Sequence, residues 1–154
     1  MRFARFVLPA TATLLALTLA ACSGGGGAAL SGGLTQRMDQ PGANLNRGEA
    51  LGILNHYRTT VGAPALSADA GLDATAQGLA NEYARGTQPK SPGGVVAMRL
   101  SAGYANFAET FSGWRNSPDD ARALGNAAAS RAGIGVAYDA NSSYGVYWVL
   151  LLDD

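Results

Sequence analysis

Two apolar segments near the C-terminus predict a β-hairpin. The segment from Gly145 to Leu152 is apolar on both faces, which is typical of a strand that is covered from both sides. Before it, residues 133–139 alternate in character, so that Ile134, Val136 and Tyr138 share one face. Because a strand buried on both faces needs a packed layer on each side, these segments predict a small antiparallel sheet inside an α+β sandwich.

Helix signals upstream of the hairpin predict about four helices around this sheet. Each segment begins at a good capping residue or carries apolar residues at helical spacing. The alanine-rich face of the second helix indicates close packing against another element. The four predicted helices run from the N-cap Asn46 to Gly62, from a cap at Ser67 or Asp69 to about Ala84, from Val95 to Ala102, and from Ser117 to about Leu124.

The composition of the 154-residue chain excludes several classes of function. Its formal net charge is zero and 14% of its residues are charged, so it lacks the basic excess that nucleic-acid binding needs. One cysteine cannot form an internal disulfide, and with one histidine it cannot complete a structural zinc site. His56 is the single residue available as an imidazole general base. We therefore expect no nucleic-acid partner and no thiol or zinc chemistry.

The first 21 residues have the pattern of a signal peptide. Arg2 and Arg5 precede an uncharged run from Phe6 to Ala21, which is shorter than the roughly 20 residues of a membrane-spanning helix. The sequence LAAC that ends at Cys22 resembles the lipobox of bacterial lipoproteins, in which the cysteine is acylated and becomes the mature N-terminus. The alternatives are a retained membrane helix and an ordinary secretory peptide.

Acylation of Cys22 would place the protein outside the cytoplasm. Two or three acyl chains give stable anchoring, whereas a single chain binds a membrane only marginally. Ser23, which follows the cysteine, resembles the residue of lipoproteins sorted to the outer membrane. We therefore expect a membrane-anchored lipoprotein on the periplasmic or surface side of the envelope.

Residues 22–46 are rich in glycine and show no sustained periodicity, which is typical of a flexible tether. At about 5 to 6 Å times the square root of the residue number, such a tether would reach about 25–30 Å from its lipid anchor. The remaining residues, 47–154, are expected to form one domain.

Six short motifs follow one another across residues 48–152. They are LNHYR with GAPAL at 54–58 and 62–66, LDATAQGLANEYA at 72–84, Arg99 with AGY at 102–104, AET at 108–110, WRNSP at 114–118, and GIGV with YW at 133–136 and 147–148. Together they resemble the bacterial branch of the CAP superfamily, which comprises cysteine-rich secretory proteins, antigen 5 and pathogenesis-related 1. The resemblance implies a CAP-like α-β-α sandwich with a C-terminal hairpin.

The resemblance also implies a cleft in which two histidines and acidic residues hold a divalent cation, and the sequence departs from that pattern. Leu79 stands at the position of the helix-two histidine, and residues 88–91 offer no counterpart to the histidine of the following loop. Asp120 replaces the histidine of the family's S-P-x-H motif, and the segment between Glu109 and Trp114 is shorter than in the family. We therefore expect a degenerate cleft in which Glu109 alone remains.

Glu109 and Asp120 are the candidate cleft or cation residues, with Asp119 beside them. Between Phe107 and Phe111, Glu109 is expected to have a raised pKa and to act as a general acid or ion ligand, or else to order its loop as a structural carboxylate. Asp120 would complete an oxygen-only site for Ca²⁺ or Mg²⁺. The alternative for both aspartates is to stabilise a helix N-terminus.

The expected function is that of a non-catalytic binding module for a protein partner, an envelope polymer or a lipid, without a resident cofactor. The alternatives are a passive spacer and a hydrolase or cation-dependent activity that uses Glu109 and Asp120, with His56 as a further candidate. Large aromatic residues of the second half either pack in the core or line a small hydrophobic ligand pocket. These are Tyr104, Trp114, Tyr144, Tyr147 and Trp148.

Overall fold

The computed structural model describes residues 30–154, and it confirms the expected α+β sandwich. The signal peptide and Cys22 lie outside the described residues. In chain order the elements are α1 (Gly32–Thr35), α2 (Arg47–Thr60), β1 (Ser67–Ala68), α3 (Ala70–Ala84), β2 (Ala97–Ala102), α4 (Phe107–Asn116), α5 (Pro118–Leu124), β3 (Arg131–Tyr138) and β4 (Val146–Asp153).

The described strands form one sheet in the order β1-β3-β4-β2. The strands β3 and β4 form the predicted antiparallel hairpin, with Ile134 opposite Leu150, and β2 lies antiparallel on the other side of β4. The two-residue strand β1 runs parallel to β3, so the sheet is mixed rather than wholly antiparallel. The central strand β4 is buried from Val146 to Leu152, as predicted for a strand covered from both sides.

Hydrophobic clusters fill both faces of the sheet. On one face, α2 and α4 contribute Leu54, Phe107 and Trp114, which pack with Ile134 and Trp148 of the hairpin. On the other face, α3 contributes alanines that pack with Tyr147, Val149 and Leu151 of β4. The two faces of β4 therefore belong to different clusters, which explains why its sequence is apolar at every position.

The helix α3 lies very close to β3. Its buried residues are all alanines, and two glycines of β3 lie against this helix. A Cβ atom at Gly133 would overlap the backbone of Leu72, and one at Gly135 would overlap the backbone of Ala76. The prediction that the alanine-rich face allows a close approach is confirmed, and the glycines of β3 make the same approach possible from the other side.

Two predicted helices begin at their predicted caps. At the start of α2, the Asn46 side chain accepts a hydrogen bond from the Glu49 N–H at 3.1 Å. At the start of α3, the Asp69 carboxylate accepts one from the Leu72 N–H at 2.9 Å. Asp69 rather than Ser67 therefore caps the second predicted helix. The predicted start of α5 is also confirmed, with Pro at its first position.

The prediction of a helix from Val95 to Ala102 is wrong. Residues Ala97–Ala102 form β2, which pairs with β4 in the register Ala97 to Leu152 and Ala102 to Tyr147. Periodicity alone does not separate a short apolar strand from a helix segment. The backbone groups on this edge of β4 need hydrogen-bond partners, and the pairing with β2 supplies them.

The helix α4 was not expected from the sequence. It contains the AET motif, and Asn106 caps it. Its buried residues Phe107, Phe111 and Trp114 lie four and three residues apart, which is the helical spacing that could have revealed it.

Part of the predicted tether packs against the domain. Residues Gly32–Thr35 form α1, and Leu34 and Met38 are buried in the same cluster as α2 and α4. The Met38 N–H donates a hydrogen bond to the Ala105 carbonyl at 2.7 Å. The expectation of a flexible tether that extends to Asn46 is therefore corrected for residues 31–38. Within residues 30–154, no helix has the length and apolar character needed to cross a membrane.

Side chains close the outer edge of β3 beyond the short strand β1. The Ile134 N–H donates to Asp73 at 2.8 Å, and the Ile134 carbonyl accepts from Arg47 Nε at 2.8 Å. Gln77 donates to the Val136 carbonyl at 2.6 Å. Because an open strand edge invites pairing with other chains, these side chains act as a substitute for a further strand.

Candidate functional site

Glu109 lies at the N-terminus of α4 and is engaged in capping it. Its N–H donates to the Asn106 side chain at 3.0 Å, and its Oε2 accepts from the Ala105 N–H at 3.2 Å. This reciprocal arrangement is close to a capping box, which satisfies backbone groups that a helix N-terminus leaves free. The carboxylate also has a favourable position relative to the helix dipole.

The aromatic neighbours of Glu109 in the sequence do not enclose its carboxylate. Phe107 and Phe111 are buried with 0% and 4% exposure, whereas Glu109 is exposed. The helix places the two rings on the face that packs on the sheet and Glu109 on the face toward solvent. The enclosure on which the general-acid hypothesis depended is therefore absent.

Asp120 lies beside Arg99 of β2. The Asp120 Oδ1 and Arg99 Nε atoms are 3.1 Å apart, and both side chains are about one-third exposed. The Nε–H does not make a hydrogen bond with any atom of the described residues, so the contact is an ion pair without hydrogen-bond geometry. Arg99 also donates from Nη1 to the Met98 carbonyl at 2.6 Å. The charge of Asp120 therefore faces a fixed cation from the protein itself.

Asp119 and His56, the other sequence candidates, lie at the surface. Asp119 forms an ion pair with Arg122 one turn along α5, and both side chains are mostly exposed. His56 is exposed on α2. Exposed pairs of this kind contribute little to stability and leave both groups solvated.

The structure gives each candidate carboxylate a different partner. Glu109 binds backbone N–H groups, Asp120 pairs with Arg99, and Asp119 pairs with Arg122. Among residues 30–154, no group of three or more His, Cys, Asp or Glu side chains is placed to hold a metal ion. The arrangement can stabilise helix termini and fix β2 to α5.

A buried arginine at the end of α2 is a residue whose role the sequence did not reveal. Arg58 has 0% exposure and donates to four carbonyl oxygens at 2.6 to 3.1 Å, which belong to Pro64, Leu124, Asn126 and Ala129. Burial lowers the pKa of Arg58 below its ordinary value. The sequence signal that could have revealed this role is the arginine of the LNHYR motif, which lies near the end of an amphipathic helix.

Asn55 fixes the loop that follows α2. Its Oδ1 accepts from the Leu66 N–H at 2.7 Å, and its Nδ2 donates to the Leu66 carbonyl at 2.9 Å. Asn55 and Arg58 together join the end of α2 to the loop before β1 and to the segment after α5. The motif residues in this region are therefore structural.

The aromatic residues of the second half divide between core and surface. The Trp114 indole donates to the Leu100 carbonyl at 3.1 Å and the Trp148 indole to the Tyr104 carbonyl at 2.9 Å, and both rings are buried. Tyr104 and Tyr144 are 40% and 64% exposed. The two tryptophans and Tyr147, which is 5% exposed, pack in the core, whereas Tyr104 and Tyr144 lie at the surface.

A depression of about 540 Å³ lies beside the C-terminal parts of α3 and β3. The segment from Met38 to Ala43 forms one wall, and Asn81, Arg85 and Asp139 contribute polar side chains to the others. Neither Glu109 nor Asp120 lines it. The cleft expected from those two residues and this depression are therefore different places on the molecule.

The fold is similar to several solved structures. The crystal structure of MpPR-1i matches with a TM-score of 0.59 and 18% identity over 70% of this chain and 85% of that chain. An outer surface protein from Borrelia burgdorferi matches with a TM-score of 0.56 and 15% identity over 70% of this chain and 91% of that chain. An extracellular protein from Bacillus anthracis that contains an SCP domain matches with a TM-score of 0.56 and 18% identity over 70% of this chain and 40% of that chain.

Sequence comparison gives two further results. No curated protein matches the chain with significance. The family profile described as CAP, the cysteine-rich secretory protein family, matches residues 51–152, which span most of the chain from α2 to β4. The chain therefore belongs to the CAP family of cysteine-rich secretory proteins.

Proposed function

We propose that this protein is a lipid-anchored, extracytoplasmic CAP domain that acts as a non-catalytic binding module. The observation that carries the proposal is that both candidate carboxylates are already engaged within the protein. Glu109 caps α4, and Asp120 pairs with Arg99. A general acid or a cation ligand needs free lone pairs that face a substrate or an ion.

Arg99 is the residue that opposes cation binding most directly. A divalent cation at Asp120 would have to displace a guanidinium that lies 3.1 Å from the carboxylate. Two carboxylates are also few compared with the six to eight oxygen ligands that Ca²⁺ takes. These features favour a CAP scaffold that is retained for binding rather than for metal-dependent chemistry.

The proposed location rests on the leader sequence and on the relatives. Arg2 and Arg5, the uncharged run and the LAAC sequence at Cys22 fit export followed by acylation. Among proteins of similar fold, one is an outer surface protein of Borrelia burgdorferi and one is an extracellular protein of Bacillus anthracis. An envelope-facing position would give the domain access to a protein, an envelope polymer or a lipid.

The proposal is tested on the purified anchored protein in detergent by calorimetric titration with Ca²⁺ and Mg²⁺. We expect no binding heat at millimolar concentration of either ion, for the protein and for the Glu109→Gln variant alike. Gln keeps the oxygen that accepts the Ala105 N–H, so the variant should melt within a few degrees of the parent. Saturable binding of either ion by the parent, abolished by Glu109→Gln or Asp120→Asn, would contradict the proposed non-catalytic role.

The anchor is tested in the same expression cultures by labelling with a palmitate analogue. We expect label on the parent and none on Cys22→Ala, because the thiol is the acylation point. An unlabelled parent would overturn the lipid anchor while leaving the binding domain to be judged by the titrations.

A further inference from the structure

A groove with a mixed polar and apolar lining runs along the C-terminal end of α3 and the turn between β3 and β4. It consists of two depressions, of about 540 and 260 Å³, that share Ala84, Arg85 and Asp139 as walls. Because they share these residues, the two depressions are neighbours on one side of the molecule. A ligand that contacts both would be an extended chain rather than one compact small molecule.

The charges that line the groove cancel. Arg85 and Asp139 are its charged residues, one positive and one negative, and both border both depressions. Apart from the tyrosines Tyr138 and Tyr147, the other polar side chains are neutral amides and hydroxyls, which both donate and accept hydrogen bonds. They are Gln40, Asn81, Asn141, Ser142 and Ser143. This lining suits a neutral ligand rich in hydroxyl or acetamido groups, and it offers no enclosed apolar channel for an acyl chain.

Three tyrosine rings cluster at the end of the groove that the β3–β4 turn borders, and one of them, Tyr147, lines it. Tyr147 lines the smaller depression, and its ring centroid is 4.8 Å from that of Tyr83 and 6.2 Å from that of Tyr144. Tyr144 lies beside this depression without lining it, and it is 64% exposed. An exposed ring that leans edge-on against the buried Tyr147 ring presents a flat apolar surface with a polar rim at the edge of the groove.

The turn that carries Tyr144 is fixed by its own hydrogen bonds. The Ser142 Oγ donates to the Asp139 carbonyl at 2.7 Å and accepts from the Gly145 N–H at 3.1 Å. The Tyr144 N–H donates to the Tyr147 hydroxyl at 3.3 Å. A binding surface that is ordered before the ligand arrives loses less entropy on binding.

We propose that this groove binds an uncharged oligosaccharide, with a sugar ring stacked on Tyr144 at its edge and adjoining units hydrogen-bonded within it to Arg85 and the amide side chains. The combination of aromatic face, neutral amides and a compensated charge pair matches the alternating apolar faces and hydroxyl rims of a glycan chain. The inference rests on the proposed function, because it names the ligand class of the proposed binding module.

The test is calorimetric titration of the anchored protein in detergent with two soluble β-1,4-linked tetrasaccharides, one of glucose and one of N-acetylglucosamine. We expect at least one of them to bind with a dissociation constant below about 10 mM. Tyr144→Ala should weaken binding at least tenfold, whereas Tyr144→Phe, which keeps the ring, should stay within twofold of the parent. Arg85→Ala should weaken binding at least fivefold.

Arg122→Ala is the matched control for Arg85→Ala. Arg122 is an exposed arginine that lines a different depression, near Tyr57 and Val61, so its loss should leave binding unchanged. Melting temperatures of all variants establish that they fold. Absence of binding by both tetrasaccharides, or binding that neither Tyr144→Ala nor Arg85→Ala weakens, would overturn the inference. Neither result would change the outcome of the palmitate labelling or of the cation titrations, which test the proposed function.

Discussion

At the scale of single residues, the polar side chains of the CAP motifs serve the fold. Asn55 pairs with both backbone groups of Leu66, Arg58 satisfies four carbonyls, and Glu109 caps α4. Each of these side chains replaces a backbone hydrogen-bond partner that an irregular segment cannot supply for itself. The sequence identified Glu109 as special but could not show that its oxygen faces a backbone N–H rather than a ligand.

Replacement of Arg58 by Ala should destabilise the domain by about 3–5 kcal/mol. The change leaves four carbonyls of buried or half-buried segments without their donor and opens a cavity in the core. Arg58→Lys should also destabilise, because an ammonium group cannot reproduce the planar fork. Urea denaturation measures the effect.

The exposed Arg85→Ala serves as the control and should change the free energy of unfolding by less than about 0.5 kcal/mol. If Arg58→Ala lowers the free energy of unfolding by less than about 1 kcal/mol, the four carbonyls find other hydrogen-bond donors, such as water.

At the scale of elements, local signals predicted α2, α3, α5 and the hairpin that has a clear alternation, but they missed α4 although Asn106 caps it. They failed for Ala97–Ala102, where a short apolar run fits either a strand or a helix and the free edge of β4 decides. They also failed for the tether, because Leu34 and Met38 are two isolated apolar residues in a glycine-rich setting. In both cases the deciding partner is distant in the sequence.

The close approach of α3 and β3 predicts opposite effects for two glycine substitutions. Gly135→Ala should destabilise by about 3 kcal/mol or more, since its Cβ would overlap the backbone of Ala76, which cannot move without shifting the helix. Gly78→Ala, on the open side of α3, should stabilise by about 0.5–1 kcal/mol, because alanine favours the helix. Thermal unfolding followed by circular dichroism compares the two variants with the parent. Equal effects of the two substitutions would contradict the close packing.

At the scale of the whole molecule, one sheet divides the core in two, and the N-terminal segment completes one half. Leu34 and Met38 join the cluster around Phe107 and Trp148. The domain that would hang from a lipid anchor therefore includes part of the segment that the sequence assigned to the tether, and the flexible portion would be correspondingly shorter. The groove beside β3 also depends on this segment, since residues from Met38 to Ala43 form one of its walls.

If the N-terminal segment is part of the domain, Met38→Ala should lower the free energy of unfolding by about 2–4 kcal/mol. The side chain is 3% exposed, so its loss removes apolar burial and leaves a cavity. Leu30→Ala is the matched control, because Leu30 is 53% exposed and its truncation should cost less than about 0.5 kcal/mol. Urea denaturation measures the free energy of unfolding of both variants. A packed segment predicts a large loss for Met38→Ala and a small one for Leu30→Ala, whereas a free tether predicts negligible losses for both.

The sequence by itself determined the class of fold, the hairpin, three helix starts and the family, because each of these depends on local capping, periodicity or motif order. Only the tertiary structure decided that Val95–Ala102 contains a strand, that Asp120 pairs with Arg99, and that a groove lies beside Arg85 and Asp139. These outcomes depend on which groups from distant parts of the chain meet. Hydrogen bonds and ion pairs between residues far apart in the sequence leave no trace in local patterns, whereas capping bonds, which join near neighbours, do.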